Sequence, residues 1–262
     1  MTCVTSKWHH LFIHALPSLT GLLRLLFRHP VWMTKLLYAR TFYFISRRFP
    51  AGLMSSDGFN IETPSELISY WTFFVEREGW SREWADALQH HKNPLILDVG
   101  ANAGVFTHWV WTQNSNTEFI VFEPLPKMTE KIQKWQERTK AHLTLQKVAV
   151  SNHCGTAVFY ASTDNDTSAS LQPDSPKAME LSVQLVTLDS VVPDKPILLV
   201  KIDVEGCENE VLIGATRMLA NTRFILIEAH TKRAFLKIRS TLSPSIWDCR
   251  KMGPSDYFFI RR

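Results

Sequence analysis

Two acidic side chains and two glycines are spaced as a nucleoside-binding turn would need them. Within LILDVGANAG (95–104), Asp98, Gly100 and Gly104 stand at D-x-G-x-x-x-G spacing. A buried strand that turns sharply into a helix needs glycine where a ligand comes close, and the new helix points its free N–H groups into that space. Asp98 is expected to put a carboxylate at the mouth of the site. A dinucleotide turn has G-x-G-x-x-G and must accept a pyrophosphate, so a nearby negative charge is unwelcome there. S-adenosyl-L-methionine carries an ammonium group and a sulfonium and no phosphate, so the acid favours this cofactor. Glu123 ends the second apolar run, 19 positions after Gly104, and Pro124 follows it. An acid there can accept hydrogen bonds from both ribose hydroxyls. NAD-binding domains share that acid, so Glu123 supports a nucleoside without choosing between the two cofactors.

A second set of polar residues falls at the ends of later apolar runs. Asp203 and Glu205 belong to KIDVEG (201–206), and Glu228 and His230 to ILIEAH (225–230). Methyl transfer asks the protein to align an acceptor and help remove its proton. Asp203 is the candidate base or orienter of the acceptor, the other reading being a cap on the following turn or a bond to the glycine loop. Glu205 projects to the same side if the chain stays extended, but Gly206 signals a turn in which a carboxylate can simply satisfy backbone N–H groups. His230 is a candidate general base, or a structural hydrogen-bonder. Lys201, inside a strand, must snorkel or pair. Asp203, Glu205, Glu228 and His230 could together hold a divalent ion, but they form no compact ligand motif, so no metal site is assigned.

The elements that position these residues alternate. LILDV (95–99), FIVFE (119–123), LTLQKVAV (143–150), ILLVKIDV (197–204) and FILIE (224–228) read as strands buried on both faces of a parallel sheet. Segments 103–113, 126–140 and 208–220 between them are helix-compatible. This alternation predicts an α/β, doubly wound, Rossmann-like sheet with its ligands at the carboxyl ends of the strands. TAVFYAS (156–162) and SVQLVTL (182–188) suggest an antiparallel insertion around a polar loop, 163–177, that would either cover or border the acceptor site or form a solvated hairpin tip. IWDCRKM (246–252) and YFFIRR (257–262) flank Gly253-Pro254-Ser255-Asp256 as a terminal hairpin. Before the first of these strands, Ser65 with Glu66 marks one amphipathic helix and Ser81 caps another, 81–91.

An apolar share of 45% over 262 residues excludes wholesale disorder and suits one domain with an extension. Four scattered cysteines give neither a disulfide framework nor zinc spacing. Residues 1–56 carry seven Lys or Arg and no acid, whereas the remainder is net −3. The basic character is therefore N-terminal, and no nucleic-acid groove is expected in the core domain. The run 11–27 contains His14, Pro17 and Arg24 and is short for a spanning helix. Residues 1–60 are expected to be a helical extension, either packing on the domain, resting on an anionic membrane through 1–50, or serving as a transit segment. The expected location is cytoplasmic, with membrane association through that stretch as the variant reading.

DVGANAG (98–104), FEPLP (122–126), VAVSNHCG (148–155), VTLDS (186–190), KIDVEGCENEVLIGA (201–215) and ILIEAH (225–230) resemble, in order and spacing, the FkbM-type methyltransferases. The resemblance covers about residues 61–230, and Asn102 follows the family where the generic turn has a glycine. It implies a class I methyltransferase with a mostly parallel seven-stranded sheet over 61–262. It also implies S-adenosyl-L-methionine as cofactor; taken with the residue readings, Asp98, Gly100, Ala101, Asn102, Gly104, Glu123, Pro124 and Ala149 are expected to hold it, and Asp203, Glu205 and His230 are the catalytic candidates. The activity implied is O-methylation of a small molecule, polyketide, lipid or sugar. A non-catalytic or membrane-recruited module of the same fold is the alternative.

Overall fold

A computed structural model describes residues 34–38, 41, 53–55, 58–76, 81–161, 169–170 and 179–262. The expectations for residues 1–50 and for the loop 163–177 fall almost wholly outside these. The chain divides into two compact units, Met1–Ser55 with Ile61–Arg77, and Ser56–Asn60 with Glu78–Arg262. In the first, helix α1 (Pro64–Trp71) buries Leu67, Tyr70 and Trp71. Its cap is Thr63 rather than Ser65: the Thr63 hydroxyl accepts the Glu66 N–H, and the Glu66 carboxylate accepts the Glu62 N–H at 2.7 Å. Proline at the first helical position, which needs no N–H there, explains the earlier start.

The second unit opens with α2 (Arg82–His90), capped by Ser81 as the sequence suggests, with Trp84 and Leu88 buried. Strand β1 (Leu95–Val99) leads into α3 (Val105–Gln113), β2 (Glu118–Phe122), α4 (Pro126–Thr139) and β3 (Leu143–Gln146). The predicted strand 143–150 breaks after Gln146, and β4 (Ala149–Val150) joins a different sheet. There it pairs with β7 (Met179–Val186), which is antiparallel to β5 (Gly155–Ala161); β6 (Ala169–Ser170) lies beyond β5. This small sheet is the expected antiparallel insertion.

The short helix α5 (Leu188–Val191) returns the chain to β8 (Ile197–Ile202). After it come α6 (Glu208–Ile213), α7 (Thr216–Ala220), β9 (Thr222–Glu228), α8 (Lys232–Thr241) and the hairpin β10 (Trp247–Lys251) with β11 (Asp256–Arg261). The main sheet has seven strands in the order β10-β11-β9-β8-β1-β2-β3. The strands from β9 to β3 are parallel, and β11 runs against both β9 and β10. The chain therefore winds outward from β1 first to β3 and then to β9, which leaves a switch point beside β1 where ligands collect.

Burial explains the strand sequences. Every residue of β1 and β8 is buried, so both faces of the central strands need apolar side chains. The exceptions within those two strands are Asp98 and Lys201, which are register neighbours. The predicted helix 208–220 is two helices that part at Gly214, where the Ser151 carbonyl lies 2.3 Å from where a Cβ would be. Among the described residues Cys154, Cys207 and Cys249 are free, and no helix is long and apolar enough to cross a membrane.

Candidate active site

The turn after β1 is held from two sides. Its N–H groups at Gly100 and Ala101 both reach the Phe122 carbonyl at the end of β2. Gly100 has φ +78°, and a Cβ there would lie 1.9 Å from the Asp203 carbonyl oxygen. The sequence suggested that a ligand requires this glycine; the neighbour that requires it is the backbone of β8's extension. Gly104, at φ +79°, caps α3 and seats it against Ile132 of α4. Asn102 is also left-handed, at φ +51°, a conformation asparagine tolerates better than most residues.

Glu123 closes the other side of the turn. One of its oxygens accepts the Asn102 N–H at 2.7 Å and the other accepts the Leu125 N–H at 2.9 Å. The residue is 4% exposed. Burial pushes its carboxyl up to about 7, although the two N–H groups pull the other way. Pro124, half-buried, sits between Glu123 and the Leu125 that this carboxylate holds. Ala149 is buried in β4 opposite Leu185, and its described packing belongs to the small sheet.

Asp98 lies inside the fold, not at the mouth of a site. It is fully buried, and its carboxylate accepts a hydrogen bond from the Thr107 hydroxyl at 2.6 Å and lies 3.6 Å from Lys201 Nζ. Burial pushes its carboxyl up, with Lys201 and Thr107 opposing. Lys201 Nζ also reaches Asp203 at 3.1 Å and donates to the Gly100 carbonyl at 3.2 Å. Burial alone would lower the lysine, but the two aspartates outweigh it and hold the ammonium above its ordinary value. Burial would likewise raise Asp203, and Lys201 outweighs that, so its carboxyl stands low. The predicted pairing of Lys201 thus becomes an Asp98–Lys201–Asp203 chain under the turn.

Beyond Asp203 the chain does not stay extended: Glu205 has φ +53°. The N–H of Gly206 is satisfied by Glu208 at 2.8 Å, not by Glu205, whose carboxylate lies 3.5 Å from His230 Nε2. His230 Nδ1 lies 3.4 Å from Glu228, and Ser255 of the hairpin donates to Glu228 at 2.7 Å. Burial first, then the Asp203 charge, pushes the Glu228 carboxyl up to about 7. The structure therefore brings Asp203, Glu228 and His230 together, with Glu205 on the far side of the imidazole. Thr107, Glu208 and Ser255 were not singled out in the sequence, because each acts across a register or a turn that spacing does not display.

The chemistry of these groups suits S-adenosylmethionine. Lys201 is already neutralised by Asp98 and Asp203, and Glu123 presents a carboxylate beside the turn, where a pyrophosphate would be repelled. The sheet order with its reversed β11, and ligand groups gathered at the switch point, define a class I methyltransferase fold. Residues 98–253 match the family described as the methyltransferase FkbM domain. The chain belongs to this family, and S-adenosylmethionine is its methyl donor.

Solved structures with a similar fold include a putative rRNA methylase from Clostridium thermocellum, at 9% identity and TM-score 0.44, over 68% of this chain and 93% of that one. A precorrin-6y C5,15-methyltransferase from Geobacter metallireducens GS-15 is similar at 12% identity and TM-score 0.40, over 80% and 92%. The METTL16 methyltransferase domain follows at 10% identity and TM-score 0.46, over 89% and 93%. No curated protein matches the sequence.

Proposed function

We propose that the protein methylates a hydroxyl oxygen of a small molecule, sugar, lipid or polyketide, with Asp203, Glu205 and His230 handling the acceptor. The observation that carries this reading is the convergence of Asp203, Glu228 and His230 beside the Gly100 turn, on the ends of the adjacent strands β8 and β9. Asp98, Gly100, Ala101, Asn102, Gly104, Glu123 and Pro124 shape the cofactor side, with Glu123 accepting the ribose hydroxyls and Asp98 acting from beneath the turn. Ala149 stays a candidate there through its family position alone.

Bound S-adenosylmethionine supplies a methyl group on a sulfonium, ready for in-line displacement by a nucleophile. What the chain must add is a deprotonated oxygen in line with it. Asp203 accepts a hydrogen bond from the acceptor hydroxyl and fixes its direction. The hydroxyl proton passes to the Glu205–His230 pair, whose members lie 3.5 Å apart. Glu228 on the other ring nitrogen holds the imidazole in its plane.

The test is purified protein incubated with methyl-labelled cofactor and a cell extract. The expected product is a labelled small molecule whose methyl survives alkaline hydrolysis, as an ether does. His230→Gln should lower kcat by about a hundredfold or more with the cofactor KM little changed. Label appearing in RNA or protein would sink the acceptor class; cofactor binding with no demethylated product would leave the non-catalytic module instead.

A further inference from the structure

We propose that Asp203, Glu228 and His230 form a binding site for one divalent cation, taken from the harder first-row ions such as Mn2+. Each offers one donor atom, and the three atoms lie within 4.8 Å of one another. Adjacent ligands about 2.0–2.3 Å from a common ion sit roughly 3 Å apart and opposite ones roughly 4.5 Å, so an ion would draw the widest pair of this set inward. Two carboxylate oxygens with one imidazole nitrogen form a mixed O,O,N set. It leaves the remaining positions open to water or an acceptor oxygen.

The scaffold makes the set more than a loose patch of acids. Asp203 directly follows β8 and Glu228 ends β9, and these strands pair in register from Ile197 opposite Thr222 to Ile202 opposite Ile227. Ser255 anchors one oxygen of Glu228, and the Ala229 N–H is fixed to the Ser255 carbonyl at 2.7 Å. His230 stands just beyond, at 3.4 Å from Glu228 and 3.5 Å from Glu205. Both distances are longer than a good N–H···O bond.

Charge points the same way. Asp203 and Glu228 each place a donor oxygen within 4.8 Å of the other and of the His230 donor, and a cation there would offset the repulsion between two ionised carboxylates. Lys201 is already shared between Asp98 and Asp203 on the cofactor side. A cation at the three donors fills that need. It would also sit next to the Gly100 turn, where an acceptor oxygen must arrive, and would lower the pKa of a bound hydroxyl. In this role the inference rests on the proposed function: His230 Nδ1 holds the ion, and Glu205 takes the proton while facing Nε2. The existence of the site does not depend on that.

The test titrates Mn2+ alone into the full-length, chelator-stripped protein by calorimetry and by the loss of the free-ion paramagnetic resonance signal. No cofactor or acceptor is present, so its outcome is separate from that of the methylation assay. The expected result is one saturable equivalent. Glu228→Gln and His230→Ala should each weaken it by about tenfold or more, while Glu83→Gln, remote from the cluster, should not. His230 is exposed, so its variant carries the test if Glu228→Gln fails to fold. No saturable binding in the parent protein, or equal binding in parent and His230→Ala, overturns the proposal.

Discussion

Gly100 is placed rightly by the sequence and explained wrongly by it. Replacing it by alanine would drive a methyl group into the Asp203 carbonyl, 1.9 Å away, on a backbone already at positive φ. Strands β1 and β8 would have to part, so Gly100→Ala should cost on the order of 3 kcal/mol or more in chemical denaturation. An unchanged midpoint would mean that the turn is not held against β8. The glycine is legible in the sequence, but its reason is not, because the obstructing carbonyl comes from more than a hundred positions away. Asp98 is similar: spacing finds the acid, whereas its burial and its ties to Thr107 and Lys201 emerge only from strand register. Glu123 gives a pH prediction at the same scale. Its carboxyl stands at about 7 when folded and at an ordinary 4.5 when unfolded, so the folded state binds the extra proton. That stability is fully present below the unfolded value and is lost as pH rises through 7. The urea midpoint should fall between pH 5.5 and 8, by at most the equivalent of about 3 kcal/mol, and Glu123→Gln should flatten the fall. Equal slopes in both proteins would refute the assignment.

Among the elements, the strands were readable because burial on both faces writes itself as continuous apolar runs. The failures fall where distant segments meet. The chain after Gln146 pairs with β7 in another sheet, and 208–220 divides at Gly214, a glycine that lies against the Ser151 carbonyl. Helix α7 shows how such a partner can replace a local signal. Its N-terminal residue Ala215 offers no capping side chain. Asp189 on α5 does so instead, accepting the Arg217 and Met218 N–H groups at 2.9 and 2.8 Å. Arg217 in turn donates to the Asp189 and Val192 carbonyls, so the two helices fasten each other. Asp189→Ala should therefore cost about 1–2 kcal/mol, or some 2–6 °C in Tm. Methylation chemistry should survive it, since no residue of the Asp203 cluster is touched; a selective loss of activity at unchanged Tm would contradict this division of labour.

Charge is the feature that spans the whole molecule. The seven cationic side chains of residues 1–56 include Arg24, Arg28, Arg47 and Arg48, while everything after them is net acidic. Self-repulsion cannot explain such a division, and an acid-free stretch gains most beside an anionic surface. Near a membrane carrying phosphatidylserine each Lys or Arg contributes about 1 kcal/mol, and the attraction dies within a Debye length of about 8 Å at physiological salt. We therefore expect the full-length protein to sediment with phosphatidylserine vesicles at low salt and to be released as salt rises toward 0.5 M, roughly a threefold rise over physiological strength. Changing Arg24, Arg28, Arg47 and Arg48 to serine should abolish sedimentation but leave cofactor affinity intact, because the groups that shape the turn come from β1, β2 and β8. If the serine variant sediments as well as the parent, the basic stretch serves something other than a charged lipid surface. If it loses cofactor binding too, the stretch supports the fold. Sedimentation that depends on these arginines would instead bring the enzyme to a surface where lipid-borne hydroxyls are concentrated, and would make a membrane-resident acceptor the first class to assay.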